Sequence, residues 1–207
     1  MKEEGKEVIV LAAGEPDFNT PKNIRDAANK AMEEGKTKYV PGKGTPELQK
    51  AIQKKFKEDN NIDYSLDEII CGVGGKHIIY NAMMATINSG DEVIITAPYW
   101  VSYPDIVLLA EGKPVIVKCP ENQNFKIKPE QLEKYITPKT KWLMLNSPSN
   151  PTGAVYSKEE LKDLAKVLIN HPHVLIMCDD IYEKIIYDNV EFHTIASIEP
   201  SLKNRCL

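Results

Sequence analysis

Cysteine is scarce in this chain, basic residues do not outnumber acidic ones, and long apolar runs are missing. The four cysteines (Cys71, Cys119, Cys178 and Cys206) form no Cys-x-x-Cys pair, so we expect reduced thiols. The 26 lysine and arginine residues against 30 aspartate and glutamate residues give a net charge of −4, which argues against a nucleic-acid binder. No apolar run approaches the roughly 18 residues of a membrane span, and no signal peptide is visible. We therefore expect a cytoplasmic protein without nucleic-acid or membrane partners.

Apolar runs and helical patterns alternate along most of the chain. The 207 residues, 42% of them hydrophobic, can bury the core of one sizeable domain. The predicted strands are residues 8–13, 69–73, 92–96, 115–118, 142–145 and 174–177. The predicted helices are residues 21–34, with Thr20 as cap and Pro21 at the first position, then 46–59, 76–88, 103–110, 128–135 and 158–169. This alternation predicts an α/β fold with a doubly wound, mostly parallel sheet in three α/β/α layers.

Residues 146–153 read Asn-Ser-Pro-Ser-Asn-Pro-Thr-Gly and separate a predicted buried strand from a predicted helix. That helix begins with the capping-box spacing of Ser157 and Glu160. In an open α/β sheet, ligands bind at the carboxyl ends of such strands. Taken alone, the segment is also consistent with a rigid proline and glycine loop. Its meaning therefore depends on the other polar loops of the chain.

Gly74, Gly75 and Lys76 follow an apolar run and open a predicted helix. The unpaired N–H groups at such a helix start can bind a phosphate, although an ordinary tight turn explains the same residues. A dinucleotide fingerprint fails, because His77 stands at its third glycine. A P-loop around residues 35–37 fails as well, because Lys30 stands at its first glycine. Both nucleotide interpretations are weak.

Two further strand ends carry side chains that suit a flat, charged cofactor. Trp100 follows the strand 92–96, and a large aromatic side chain there can stack on a ring or pack beneath a helix. Asp179 follows the strand 174–177, where a buried carboxylate needs a partner, either a ligand cation or the start of a helix at residue 181. His171 and His173 lack further ligands nearby, so no metal site is predicted.

Five motifs stand in the same order as in one known family. They are Gly-Glu-Pro-Asp-Phe at 14–18, Thr-Lys-Tyr at 37–39, Gly-Gly-Lys at 74–76, Pro-Tyr-Trp-Val-Ser-Tyr-Pro at 98–104 and Asn-Pro-Thr-Gly-Ala-Val-Tyr at 150–156. The chain thereby resembles the class I and II aminotransferases, which are pyridoxal 5'-phosphate enzymes of fold type I, and among them the bacterial aspartate aminotransferases. The resemblance covers nearly the whole chain.

The resemblance implies specific roles for individual residues. Expected cofactor contacts are Gly74, Gly75 and Lys76 at the phosphate, Trp100 over the pyridine ring, Asp179 at the ring nitrogen, Asn150 and Tyr182 at the 3-oxygen, and Tyr39 at the phosphate of the partner subunit in a homodimer. Expected substrate contacts are Gly14, Trp100 and Asn150. Val73 and Asp180 depart from the family pattern, which more often has a hydroxyl residue and a glutamate there.

The resemblance also implies that the chain is a fragment. Residues 1–20 would belong to an incomplete small domain, and residues 21–207 to the cofactor-binding large domain without its C-terminal part. The lysine that forms the Schiff base lies in the family one strand beyond Asp179 and Tyr182, and is therefore expected beyond Leu207. We assign no catalytic residue within the chain and expect the 207 residues alone to be inactive.

The function implied for the complete protein is amino transfer from an amino acid, aspartate in the first place, to a 2-oxo acid such as 2-oxoglutarate. Alternatives on the same fold are a β-lyase, an activity like that of aminocyclopropane-carboxylate synthase, and a non-catalytic aminotransferase-like binding domain. A nucleotide-dependent oxidoreductase is a further alternative, which rests on the weak glycine patterns.

Overall fold

The computed structural model describes residues 4–9, 14–16 and 18–207. The chain divides into two compact units, Met1–Val40 and Pro41–Leu207. The first unit contains helix α1 (Lys22–Glu33). The helices of the second unit are α2 (Pro46–Asn60), α3 (Gly75–Thr86), α4 (Ser102–Leu109), α5 (Pro129–Tyr135), α6 (Lys158–Asn170) and α7 (Ile195–Ile198), and its strands are β1 (Glu92–Ala97), β2 (Lys113–Lys118), β3 (Thr140–Asn146) and β4 (Leu175–Asp179). The predicted domain boundary after residue 20 stays a prediction.

The four strands form one parallel sheet in the order β2-β1-β3-β4. The chain moves from β1 outward to β2, then returns past β1 to β3 and continues to β4. The strand order therefore reverses between β1 and β3. In doubly wound sheets, ligands bind outside the carboxyl ends of the strands at such a switch point.

Both faces of the sheet are covered by helices, as predicted. On one face, Ile94, Leu143 and Ile176 pack with the buried sides of α5 and α6. On the other face, Val93 and Met144 pack with α3 and α4. Because parallel strands buried on both faces need apolar residues at every position, these strands read as continuous apolar runs. The three-layer α/β/α fold is confirmed.

The predicted strand at residues 69–73 is wrong. Its backbone finds partners in a loop and a side chain, since Cys71 N–H donates to the carbonyl of Lys43 at 3.0 Å and the Gln49 amide donates to the carbonyl of Ile69 at 2.7 Å. Ile70 and Val73 are 63% and 90% exposed. The apolar run is therefore a loop that leads into α3, buried at Ile69 but exposed at Ile70 and Val73.

The prediction for the start of α1 is also wrong. The helix begins at Lys22, and Pro21 is its N-terminal cap with an extended ψ of 142° and no side-chain capping bond within this part of the described chain. The Pro21 carbonyl accepts the N–H groups of Ile24 and Arg25, so Thr20 lies one residue too early to cap. Of the predicted strand 8–13, residues 10–13 lie outside the described residues.

The last residues of the chain form elements that the sequence analysis did not predict. A 3-10 helix at Pro200–Arg205 places the Arg205 guanidinium on the carbonyls of Leu168, His171 and Val174. Leu207 then pairs with β4, donating to the carbonyl of Ile176 at 2.9 Å and accepting from Cys178 N–H at 2.7 Å. Among the described residues, no helix is long and apolar enough to cross a membrane.

Candidate functional site

The carboxyl ends of β1, β3 and β4 carry a connected group of polar and aromatic side chains. Trp100 lies three residues beyond β1, and its ring meets that of Tyr103 edge to face with 5.4 Å between centroids. The Tyr103 hydroxyl donates to Asp179 Oδ2, at the end of β4, at 2.6 Å. This contact spans the end of β3. Contacts from Trp100 through Tyr103 to Asp179 therefore link the loop after β1 with the end of β4 at the switch point.

Asp179 is held from three sides. Besides the Tyr103 hydroxyl on Oδ2, its Oδ1 accepts the Ile181 N–H at 3.4 Å, and its main-chain carbonyl accepts the Asn146 amide at 2.6 Å. Tyr103 is 3% exposed. Burial raises the pKa of the Tyr103 phenol, and the neighbouring charge of Asp179 raises it further. The phenol consequently remains a proton donor to the carboxylate.

Asn146 connects β4 to the loop that carries Asn150. Its side-chain oxygen accepts the Asn150 N–H at 2.7 Å while its amide nitrogen donates to Asp179. The same loop contains the cis peptide bonds Ser147-Pro148 and Asn150-Pro151, and a third, Ala97-Pro98, follows β1. A small polar depression lies between these loops, lined by Tyr103, Asn146, Asn150 and their neighbours.

The Gly-Gly segment forms the start of α3, as predicted. Gly74 has a φ of +83°, and within the described residues no side chain caps the helix. A Cβ built on Gly74 or Gly75 meets no atom within 4 Å, so open space lies over both residues. Lys76 Nζ lies 5.1 Å from the centre of the Trp100 ring. The helix start, with its unpaired N–H groups, therefore neighbours the aromatic group at the end of β1.

His77, which breaks the dinucleotide pattern, has a local structural role. Its Nδ1 accepts the Val73 N–H at 3.1 Å. Because a backbone N–H can only donate, Nδ1 carries no proton in this arrangement. The side chain thus fixes the loop that precedes the two glycines.

The structure brings most of the predicted site residues to one edge of the sheet. Lys76, Trp100, Asp179 and Asn150 belong to the connected group described above, and Gly74 and Gly75 precede Lys76. Tyr182 lies in the turn after β4, where it is near enough to raise the pKa of Tyr103. That turn is closed by the bonds Glu183 N–H to Asp180 and Ile185 N–H to Tyr182 and is not the helix considered from the sequence.

Gly14 and Tyr39 belong to the first unit of the chain. Gly14 is exposed, and the Tyr39 side chain is fully exposed. Their predicted roles toward substrate and toward a partner subunit stay predictions.

Sequence reasoning missed two residues of this group, Tyr103 and Asn146. Both stand within motifs that were recognised, Tyr103 three residues after Trp100 and Asn146 at the start of the Asn-Ser-Pro loop. The available signal was position, since Tyr103 begins the predicted helix 103–110 and Asn146 directly follows the predicted strand 142–145. Only the order of the strands shows that Tyr103 reaches Asp179.

The fold and this group of residues define an α/β protein with a ligand crevice at the switch point of a doubly wound sheet. Residues 6–205 match the family model for aminotransferase class I and II. The chain therefore belongs to the class I and II aminotransferase family, as the sequence analysis predicted.

Individual relatives agree with this assignment. The chain is 60% identical to a probable aspartate/prephenate aminotransferase of Rickettsia bellii, over 99% of this chain and 51% of that protein. It is 54% identical to an aspartate aminotransferase of Rhizobium meliloti, over 100% of this chain and 50% of that protein. A crystal structure of the aspartate aminotransferase from Rhizobium meliloti superimposes with a TM-score of 0.96 at 53% identity, covering 100% of this chain and 52% of that one. The structure of the aspartate aminotransferase from Thermus thermophilus with maleate superimposes with a TM-score of 0.93 at 40% identity, covering 99% of this chain and 52% of that one.

The chain spans about half the length of the relatives that it matches. The residues described here therefore account for one part of such a protein.

Proposed function

We propose that the complete protein is a pyridoxal 5'-phosphate-dependent aminotransferase that moves an amino group from aspartate to a 2-oxo acid such as 2-oxoglutarate. The observation that carries the proposal is the Asp179 carboxylate, placed at the switch point and hydrogen-bonded by Tyr103 at 2.6 Å. Family membership and the names of the relatives support the reaction and the donor. The proposed setting is a cytoplasmic homodimer.

The residues at the crevice fit a phosphorylated pyridine cofactor. The α3 start offers N–H groups beneath open space at Gly74 and Gly75, which suits a phosphate. Trp100 supplies an aromatic face beside Lys76. Asp179 supplies a carboxylate for a pyridinium N–H, and Asn150 and Tyr182 supply donors for a ring oxygen. Polar groups would thus be available for the phosphate, the ring nitrogen and the ring oxygen of the cofactor.

Each of these residues would perform a definite task. Asp179 would keep the ring nitrogen protonated, because a carboxylate within hydrogen-bonding distance favours the charged form of its partner. Tyr103 and Asn146 would hold Asp179 in place. Trp100 would cover the ring and exclude water from it. When bound, the cofactor supplies an electron sink for substrate carbanions. The lysine that moves the substrate proton would come from beyond Leu207.

The homodimer is proposed on the exposure of Tyr39. The structure leaves its side chain fully exposed, which is unusual for a large aromatic residue unless another surface covers it. A partner subunit that covers it would give the phenol a role at the partner's cofactor. Sedimentation of the complete protein tests this proposal, and a monomer that keeps full activity would contradict it.

The reaction is tested on the complete reading frame that contains this chain. We expect the purified protein to hold pyridoxal 5'-phosphate, to change its cofactor absorption when aspartate is added, and to form glutamate from 2-oxoglutarate. Prephenate should be included as an amino acceptor, since it appears in the names of relatives. Cofactor binding with ammonia or pyruvate release would instead indicate a lyase. Ligand binding without turnover would indicate a binding domain, and nicotinamide absorbance an oxidoreductase.

A further inference from the structure

Helix α2 and the turn after β4 are joined by a cluster of charged and amide side chains, which we call the α2 clamp. It consists of Lys55, Asp59 and Asn60 on α2 and of Glu183 and Lys184 on the turn. Lys55 Nζ lies 2.7 Å from Glu183 Oε1, and the Asn60 amide donates to Glu183 Oε2 at 3.2 Å. Lys55 also donates to Asn60 Oδ1 at 2.8 Å. Both Glu183 oxygens are therefore bound by α2.

The two halves of the clamp differ in burial. The Glu183 side chain is only 11% exposed, whereas Lys184, which pairs with Asp59 at 2.9 Å, is 69% exposed. Ion pairs in solvent contribute little, but a carboxylate removed from water must keep its partners. Glu183 is therefore the member of the clamp that the fold has to hold in one position.

The turn after β4 is short and is not a regular helix. Residues 180–185 are closed by two backbone hydrogen bonds, Glu183 N–H to the Asp180 carbonyl at 2.9 Å and Ile185 N–H to the Tyr182 carbonyl at 2.8 Å. The Ile181 N–H also contacts Asp179 Oδ1 at 3.4 Å, and the Asp180 side chain is hydrogen-bonded to Thr194. The contacts of Glu183 with α2 join residues 123 positions apart. They are more buried than the exposed pair of Lys184 with Asp59, which also joins the turn to α2.

Resting on the proposed function, we propose that Glu183 is a positioning residue for Tyr182. Gripped by Lys55 and Asn60, it fixes the turn so that the preceding side chain, the Tyr182 phenol, faces the crevice in a single orientation. The phenol would then meet the ring oxygen of the cofactor without an additional loss of conformational freedom on binding. Preorganisation of this kind raises affinity without adding a contact.

The test uses the complete protein and pyridoxal 5'-phosphate as the probe. Equilibrium dialysis and the absorption spectrum of the bound cofactor are compared for the parent protein, Glu183→Gln, Tyr182→Phe and the double variant. Glu183→Gln keeps the shape and one hydrogen bond but removes the charge. We expect it to raise the dissociation constant about fivefold, the effect of losing one ordinary hydrogen bond. We expect no further increase when Tyr182 is already Phe.

The matched control is Lys184→Met, which breaks the exposed pair on the same turn and should leave affinity and spectrum unchanged. Unaltered binding by Glu183→Gln, or a full additional loss in the Tyr182→Phe background, would overturn the positioning role. If Glu183→Gln does not fold, Lys55→Gln breaks the same pair from the α2 side and is judged by the same outcomes. A parent protein that binds no pyridoxal 5'-phosphate would instead overturn the proposed function.

Discussion

The Tyr103 phenol oxygen lies 2.6 Å from Asp179 Oδ2, although 76 residues separate the two along the chain. Tyr103 belongs to α4, which follows β1, and Asp179 ends β4. Because β3 lies between β1 and β4, this hydrogen bond crosses the switch point. It fixes one carboxylate oxygen, and within residues 4–9, 14–16 and 18–207 the other, Oδ1, has only the 3.4 Å contact to Ile181 N–H. A ligand cation at the crevice would therefore meet an oriented carboxylate.

Replacing Tyr103 by Phe tests this orientation. The ring that packs against Trp100 is retained, while the donor to Asp179 is lost. In the complete protein we expect an about fivefold weaker binding of pyridoxal 5'-phosphate, corresponding to about 1 kcal/mol for one hydrogen bond. Dialysis and the spectrum of the bound cofactor measure the change. Unchanged affinity would show that Asp179 does not need its tyrosine partner.

The control is a second buried tyrosine, Tyr156, which lies on the opposite face of the sheet from Tyr103. Its hydroxyl accepts the Ile127 N–H at 2.9 Å. Tyr156→Phe leaves that N–H buried without an acceptor, which costs about 1–3 kcal/mol. We expect lower unfolding free energy in urea with unaltered cofactor affinity. The two substitutions should thus separate a site tyrosine from a structural one.

Asn146 is expected to support the site through its two hydrogen bonds. Asn146→Ala removes the acceptor of Asn150 N–H and the donor to the Asp179 carbonyl. The Asn150 N–H left unpaired costs about 1–3 kcal/mol, while the Asp179 carbonyl keeps the longer bond from Ser147 N–H at 3.3 Å. Both the unfolding free energy and the cofactor affinity should therefore fall. Thermal unfolding and dialysis measure these effects. Asn170→Ala, at the exposed end of α6, serves as the surface control, and an equal loss there would contradict the role of Asn146.

Local patterns predicted the parts of the fold that depend on neighbouring residues. The capping box of Ser157 and Glu160 is present as the spacing indicated, because both partners lie within one helical turn. The strand at residues 69–73 was wrong, because an apolar run shows neither whether a neighbouring strand exists nor whether the run is buried. The bond between Tyr103 and Asp179 was missed for a related reason. It depends on which strands are neighbours, and a single sequence does not reveal strand order.

Gly74 is expected to matter for phosphate binding beyond its backbone conformation. Gly74→Ala strains a residue with φ +83° and ψ 160°, a region adopted essentially by glycine alone, at a cost of about 1–3 kcal/mol. It also places a methyl group in the open space above the α3 start. Gly90 is a matched control, with φ +91° and no atom within 4 Å of its built Cβ. Both variants should lose unfolding free energy, but only Gly74→Ala should bind pyridoxal 5'-phosphate more weakly. Equal affinity of the two variants for pyridoxal 5'-phosphate would argue against a phosphate-binding site at the start of α3.

Asp180 should make stability fall as the pH rises. The pKa of its carboxyl is raised from 3.8 to about 7, chiefly by burial. The charges of Asp179 and Glu183 also raise this pKa, whereas the Thr194 hydrogen bond and the charge of Lys55 lower it. The folded state then binds the proton more tightly than the unfolded state. The contribution of Asp180 to the free energy of unfolding is therefore fully present below about pH 4 and is lost as the pH rises through about 7.

Asp180→Asn cannot ionise and should remove this dependence. In urea unfolding of the 207-residue chain, the unfolding free energy of the variant minus that of the parent should therefore increase from about pH 4 to about pH 7. Glu160→Gln provides the opposite sign. Burial opposes ionisation of Glu160, but Lys126 and the Ser157 N–H outweigh it and lower the pKa, so its contribution is present near neutrality and is lost in acid. A flat difference for Asp180→Asn across this range would show that the carboxyl titrates in the folded chain as it does in the unfolded one.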